Sequence, residues 1–92
     1  MTETEYFSAK LDGLMEFWKA VPDMVRRYDE LTPEERMEYF GVDYQIAGDQ
    51  LRHVIEAEGA GKLTAEQSRR LTHVRQLREK HEPAVLRIRS QG

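Results

Sequence analysis

The sequence predicts an all-α protein: a small bundle of four to five short helices that closes with a C-terminal antiparallel helical hairpin. Three observations carry this. Phe7, Leu11, Leu14, Trp18 and Val21 recur at 4-3-4-3 spacing, which puts five apolar side chains on one helical face. Two capping boxes, Thr32 with Glu35 and Thr64 with Gln67, each announce a helix start. The only alternating segment, Leu86-Arg87-Ile88-Arg89, is short and has no other strand to pair with.

Helix signals run in order along the chain. Thr2 or Thr4 can cap a first helix over 3–20, with Glu3 and Glu5 beside its positive end and Pro22 closing it. A short helix over 23–30 follows, with Met24, Val25, Tyr28 and Leu31 facing inward. Thr32, Pro33 and Glu35 then start a helix over 33–40, which Gly41 is expected to stop. Over 43–58, Tyr44, Ala47, Leu51, Val54 and Ile55 share one face, and Gly59 ends the helix. After the short 59–62 connection, Thr64 opens a helix over 65–81, and so short a loop predicts neighbouring antiparallel helices. Residues 83–92 form a possible irregular or extended tail. Pro83 disfavours helix at Glu82, while Ala84, Val85 and Ile88 extend the helical face, so a kink and another turn or two is the favoured reading. The expected core is Leu11, Leu14, Trp18, Tyr28, Met37, Phe40, Leu51, Val54, Leu71, Val74 and Leu77.

At 92 residues the chain is sized for a single helical domain, 1–92, with no repeat or long linker. Its composition, 39% hydrophobic and 34% charged, is that of a folded soluble chain. No apolar run approaches a membrane span, and the acidic start lacks the basic region of a signal peptide, so neither a membrane nor secretion is expected. The absence of cysteine excludes disulfides and thiolate zinc sites and suits a reducing cytoplasm. The net charge of −3 conceals a division: residues 1–50 hold twelve acids and five bases, and the remainder five acids and nine bases. All eight aromatic residues lie between Tyr6 and Tyr44. An acidic aromatic half folding against a basic aliphatic half is the simplest explanation.

Chemistry-bearing constellations are weak. Gly59-Ala60-Gly61-Lys62-Leu63-Thr64 has neither the spacing nor the preceding strand of a phosphate loop. Asp49, His53 and Glu56 share one helical face, but three ligands along one straight helix do not converge on a metal without a second helix. No Glu-x-x-His or His-Glu-x-x-His occurs. Ser8, Ser68 and Ser90 lack a nucleophile-elbow context, and His81 falls within the apolar arc of the last helix, as a core or interface histidine would. No catalytic residue, metal or cofactor is therefore expected, and the protein is read as a non-enzyme.

Two surfaces remain. In the first helix Tyr6, Gly13, Phe17 and Ala20 line a second flank, widening its apolar arc to about 240°, where a surface helix needs somewhat over 100°. That excess points to a protein partner, a homodimer first among them, through Tyr6, Gly13, Phe17 and Ala20. The alternative is a polyanion contact, nucleic acid above all, through Arg69, Arg70, Lys80, Arg87 and Arg89. Arg70 and Arg78, however, lie along the apolar arc, where their heads are expected to pair with carboxylates of the acidic half or of a second chain. The expected function is a non-catalytic helical protein–protein interaction module, an adaptor or regulator, with a small nucleic-acid-associated regulator as the alternative.

Overall fold

Three long helical rods, rather than four or five short ones, make up the protein in a computed structural model that describes residues 1–91. The first is α1 (Glu3–Arg26), followed by a single 3₁₀ turn at Tyr28–Glu30. The second begins as α2 (Pro33–Met37), passes through a π-helical segment at Glu38–Asp43 and continues as α3 (Tyr44–Gly59). The third is α4 (Ala65–Gln91). No strand occurs among the described residues.

Helix starts fall where the capping residues put them. Thr2 Oγ1 accepts from the Glu5 amide at 3.1 Å. Thr32 and Glu35 form the full reciprocal box, with amide contacts of 2.9 and 3.1 Å. The hydrogen bond from the Thr32 amide, followed by that with the Thr32 hydroxyl, holds the Glu35 carboxyl below its usual pKa. Thr64 and Gln67 repeat the device at 3.0 and 3.1 Å. Between α3 and α4, Gly61 takes φ = +73°, a conformation that glycine adopts without strain.

The expected breaks are absent. Pro22 sits inside α1 and Pro83 inside α4. Each lacks the N–H that would reach the carbonyl four residues earlier, Trp18 and Glu79 respectively, and both prolines lie on the exposed side of their helices. Packing beyond them holds the helices together: Met24 and Val25 after Pro22, and Ile88 after Pro83, pack against the core, and Val85 is fully buried. Residues 83–91 are therefore helix, in keeping with the favoured reading of further helical turns after Pro83 and not with an irregular or extended tail, and Gly92 lies outside the described residues. The helix expected over 23–30 becomes the last turn of α1 and the 3₁₀ turn.

Gly41 does not stop its helix either, because it lies within the π segment. A π turn takes roughly one extra residue, which rotates the residues before it by about 100° relative to those after it. Tyr39 and Phe40 consequently both turn towards α1, Phe40 buried and Tyr39 half-buried, whereas Met37, expected in the core, is 72% exposed. Six of the eight aromatic residues join into one connected series, in which Tyr44 meets Trp18 at 6.3 Å. Tyr28 meets Phe40 at 5.6 Å between ring centroids, Phe40 meets Tyr39 at 5.0 Å, Tyr39 stacks on Phe17 at 4.8 Å, and Phe17 meets Trp18 at 5.1 Å. The crowding of these six rings into the first half of the sequence thus reflects one packed cluster, and Tyr6 and Phe7 form a separate pair at 5.4 Å.

Helix α1 is the organising rod. Its stripe of Phe7, Leu11, Leu14, Trp18 and Val21 is buried against Ala47, Leu51, Val54 and Ala57 of α3 and Leu71, Val74 and Val85 of α4. Both rods pack mainly on α1 and touch each other little, so the pair expected to form a hairpin is held together through α1. The molecule measures 41 × 25 × 18 Å, its long axis set by the 27 residues of α4, which span about 40 Å at 1.5 Å per residue.

Polar contacts lock the rods. Gln67 is buried, and its amide Nε2 donates to the Thr4 carbonyl at 2.8 Å and to Ser8 Oγ at 2.9 Å, tying the start of α4 to the start of α1. Tyr44 Oη donates to Glu82 Oε2 at 2.8 Å, and Arg78 Nε donates to the same oxygen at 3.2 Å. Arg78 is therefore partly buried and paired as expected, but its carboxylate comes from its own helix and not from the acidic half or a second chain.

Candidate interaction surface

The flank of α1 that carries Tyr6, Gly13, Phe17 and Ala20 lies about 120° round the helix from its buried stripe, at 100° per residue. Tyr6 is 47% exposed and Gly13 is exposed, whereas Phe17 and Ala20 are half-buried. The four do not form one open patch. Gly13, Phe17 and Ala20, with Glu16, form one wall of a groove of about 320 Å³ whose other wall is Tyr39 and Asp43 of the π segment and Ile46, Ala47 and Gln50 of α3. Tyr6 instead borders a second hollow, of about 440 Å³, with Phe7, His53, Glu56, Ala57, Ala60 and Lys62.

The groove is built by the π segment. Tyr39 stacks on Phe17 and its Oη donates to the Phe17 carbonyl at 2.9 Å, closing the floor beneath Ala20. Burial, reinforced by the Asp43 carboxylate, pushes the Tyr39 phenol far above its usual pKa, so it remains a neutral donor. Ile46, an apolar side chain that lines the groove, is 50% exposed. A Cβ added to Gly13 would meet Gln50 Oε1 at 3.8 Å, an ordinary contact, so packing within the chain does not require glycine there. The ionisable groups lining the groove are Glu16, Asp43 and the locked Tyr39. They offer an acidic rim on an apolar floor, with neither a nucleophile nor an opposed base.

Sequence reasoning identified the α1 wall and missed Tyr39, Asp43 and Gln50 of the opposite wall, because two helices separated at Gly41 do not fix how these residues align as the continuous second rod does. The available signal was the adjacent pair Tyr39-Phe40, two neighbouring aromatic rings about 100° apart on a helix that both need cover.

The five basic residues divide. Arg70 is taken up by an ion pair with Asp12, and Arg89 donates to the Phe40 carbonyl at 2.6 Å while lying 4.8 Å over the Tyr44 ring. Both serve the fold. Arg69, Lys80 and Arg87 are exposed, without hydrogen-bond or ion-pair partners among the described side chains. Since α4 continues past Pro83, these three fall within about 20° of one line on its outer face.

Asp49 is paired with Arg52 at 3.0 Å, and no cluster of three or more His, Asp or Glu side chains among the described residues is placed to hold a metal. Ser8 Oγ accepts from Gln67, Ser90 Oγ donates to the Arg87 carbonyl at 2.8 Å, and His81 is half-buried in α4. No described helix is long and apolar enough to cross a membrane. The chain matches no protein-family model, no curated protein and no solved structure.

Proposed function

We propose that this protein is a non-catalytic helical interaction module, an adaptor or regulator, that self-associates through the α1–α3 face. The observation that carries the reading is the groove between Phe17 and Ile46: an apolar floor, open to solvent, beside an exposed length of α1. Apolar surface of this kind gains free energy when a partner covers it, and in a symmetric dimer the same patch serves both sides. A cysteine-free chain suits the cytoplasm as the setting for such a module.

Light scattering coupled to size exclusion tests it. The expected mass is that of two chains of 10.8 kDa, falling to one on dilution. Ile46→Glu is the informative variant, since Phe17 also stacks on Tyr39 within the chain and its replacement would disturb the fold. Ile46→Glu should give monomers with unchanged helical circular dichroism. A wild-type mass of one chain at every concentration would refute self-association.

A second reading draws on the line of Arg69, Lys80 and Arg87, extended by exposed His73, which spans about 27 Å of α4 at 1.5 Å per residue. Such a line suits a phosphate backbone. Anisotropy with a labelled single-stranded oligonucleotide should then show affinity that falls steeply with salt. Binding insensitive to salt, or none, would count against this reading.

A further inference from the structure

We infer that α1 pairs with α1 of a second copy in antiparallel orientation, crossing at Gly13. The inference rests on the self-association proposed above and gives it a register. In an antiparallel twofold pair centred on Gly13, each residue a given number of positions before Gly13 faces the residue the same number after it on the other copy. Lys10 then faces Glu16, Ala9 faces Phe17, and Tyr6 faces Ala20, every pair occurring twice.

These pairings are complementary in charge and in size. Lys10 meets a carboxylate, and each aromatic ring meets an alanine. All these side chains lie within about 60° of Gly13 on the helix surface, so they belong to one face. Tyr6, Ala9, Gly13 and Glu16 are exposed, and Lys10, Phe17 and Ala20 are half-buried. Neither Lys10 nor Glu16 has an ion-pair partner among the described residues; the Lys10 ammonium lies 4.8 Å over the Tyr6 ring, held on this face.

Charge sets the orientation. A parallel pair would place Lys10 on Lys10, Glu16 on Glu16 and Tyr6 on Tyr6, and like charges opposed across an interface are strongly unfavourable. The charged pair further out in the antiparallel arrangement is Glu3 with Asp23, about 80° round from Gly13, and Asp23 is already neutralised by Arg26 and, at 3.3 Å, by Arg27. Gly13 at the crossing point lets the two backbones approach, which accounts for a glycine in mid-helix that the chain's own packing does not need. Half-exposed Ile46 extends the same face towards the roughly 1,200 Å² that a stable interface buries.

The test uses charge reversal and cross-linking, with each variant's fold checked by circular dichroism. Lys10→Glu and Glu16→Lys should each weaken dimerisation about tenfold or more, and the double variant should return to within about threefold of wild type. Because the chain has no cysteine, a single one is a clean reporter. Gly13→Cys should form a disulfide-linked dimer under mild oxidation, since its sulfur meets its own copy at the twofold axis, while Glu66→Cys on exposed α4 should stay unlinked at the same concentration. A wild-type dimer in which Gly13→Cys links no better than Glu66→Cys, or in which the double reversal recovers nothing, would overturn this register and leave self-association standing. A wild-type monomer at every concentration would overturn both.

Discussion

Trp18 is 1% exposed, and its indole Nε1 is a buried side-chain donor with no hydrogen-bond partner in the protein. An unsatisfied buried donor offsets part of what the ring gains by burial. Trp18→Ala should cost about 3 to 5 kcal/mol, and Trp18→Phe, which also removes the unmet N–H, clearly less. Urea unfolding followed by circular dichroism checks this, since Trp18 is the only tryptophan and either variant loses that fluorescence. Met37 should tolerate glutamine with a change within about 0.5 kcal/mol, because the π segment has turned it to solvent. Two phenols predict an alkaline limit. Burial raises the pKa of both Tyr39 and Tyr44, with Asp43 adding to the first and the hydrogen bond to Glu82 to the second. A raised folded-state value means that the unfolded chain releases these protons first. Stability is then unaffected below the ordinary tyrosine range and falls above about pH 10. Urea midpoints should decline between about pH 9 and about pH 11, and less so in Tyr39→Phe.

At the scale of elements, a helix start is a local event and a helix stop is not. Thr2, Thr32 and Thr64 cap helices through atoms only three residues away, so their sequence signatures suffice. Pro22, Gly41 and Pro83 carry equally clear stop signatures, and each is overridden by the burial of residues further along. Pro83→Ala should therefore stabilise the protein by about 1 to 3 kcal/mol, read as a raised melting temperature, because it restores a donor and removes a clash without touching the buried face. Gln67 shows how a local signal can hide a tertiary one. Its carbonyl completes the cap, as the sequence indicates, while its Nε2 reaches Thr4 and Ser8 some sixty positions away. Gln67→Glu keeps the capping oxygen and loses both donations, and should destabilise by about 1 to 3 kcal/mol in the same denaturation assay.

The whole molecule turns the charge asymmetry of the chain to less account than its size suggests. Of the ion pairs among the described residues, only Arg70 with Asp12 joins distant parts of the acidic and basic halves; the others, Arg52 with Asp49 across the boundary included, connect residues three or four apart. Asp12 is well exposed, so Arg70→Ala should cost no more than about 1 kcal/mol. Leu71→Ala, by contrast, should cost about 2 to 5 kcal/mol, because Leu71 sits fully in the layer beneath α1. Thermal or urea unfolding monitored at the helix band measures both values. The layer is also why α1 keeps an exposed flank: two rods spread over one side of a third leave its opposite side in water.

Composition, apolar spacing and capping residues by themselves determined that this protein is helical, where the three capped helices begin, and that Leu11, Leu14, Trp18, Phe40, Leu51, Val54, Leu71 and Val74 are buried. These are properties of neighbouring residues, set within a turn or two of helix. Only the tertiary structure decided that five expected helices merge into three rods, that Met37 turns outward while Tyr39 turns in, and that Arg70 and Arg89 serve the fold while Arg69, Lys80 and Arg87 face solvent. The physical reason is common to all three. A proline or glycine costs a helix only a few kcal/mol, about what one or two buried side chains return, so the outcome depends on what each turn packs against in the folded chain. The groove beside Phe17 was half legible for the same reason: its α1 wall is set by helical spacing, and its Tyr39, Asp43 and Gln50 wall exists only because the π turn rephases the second rod against α1.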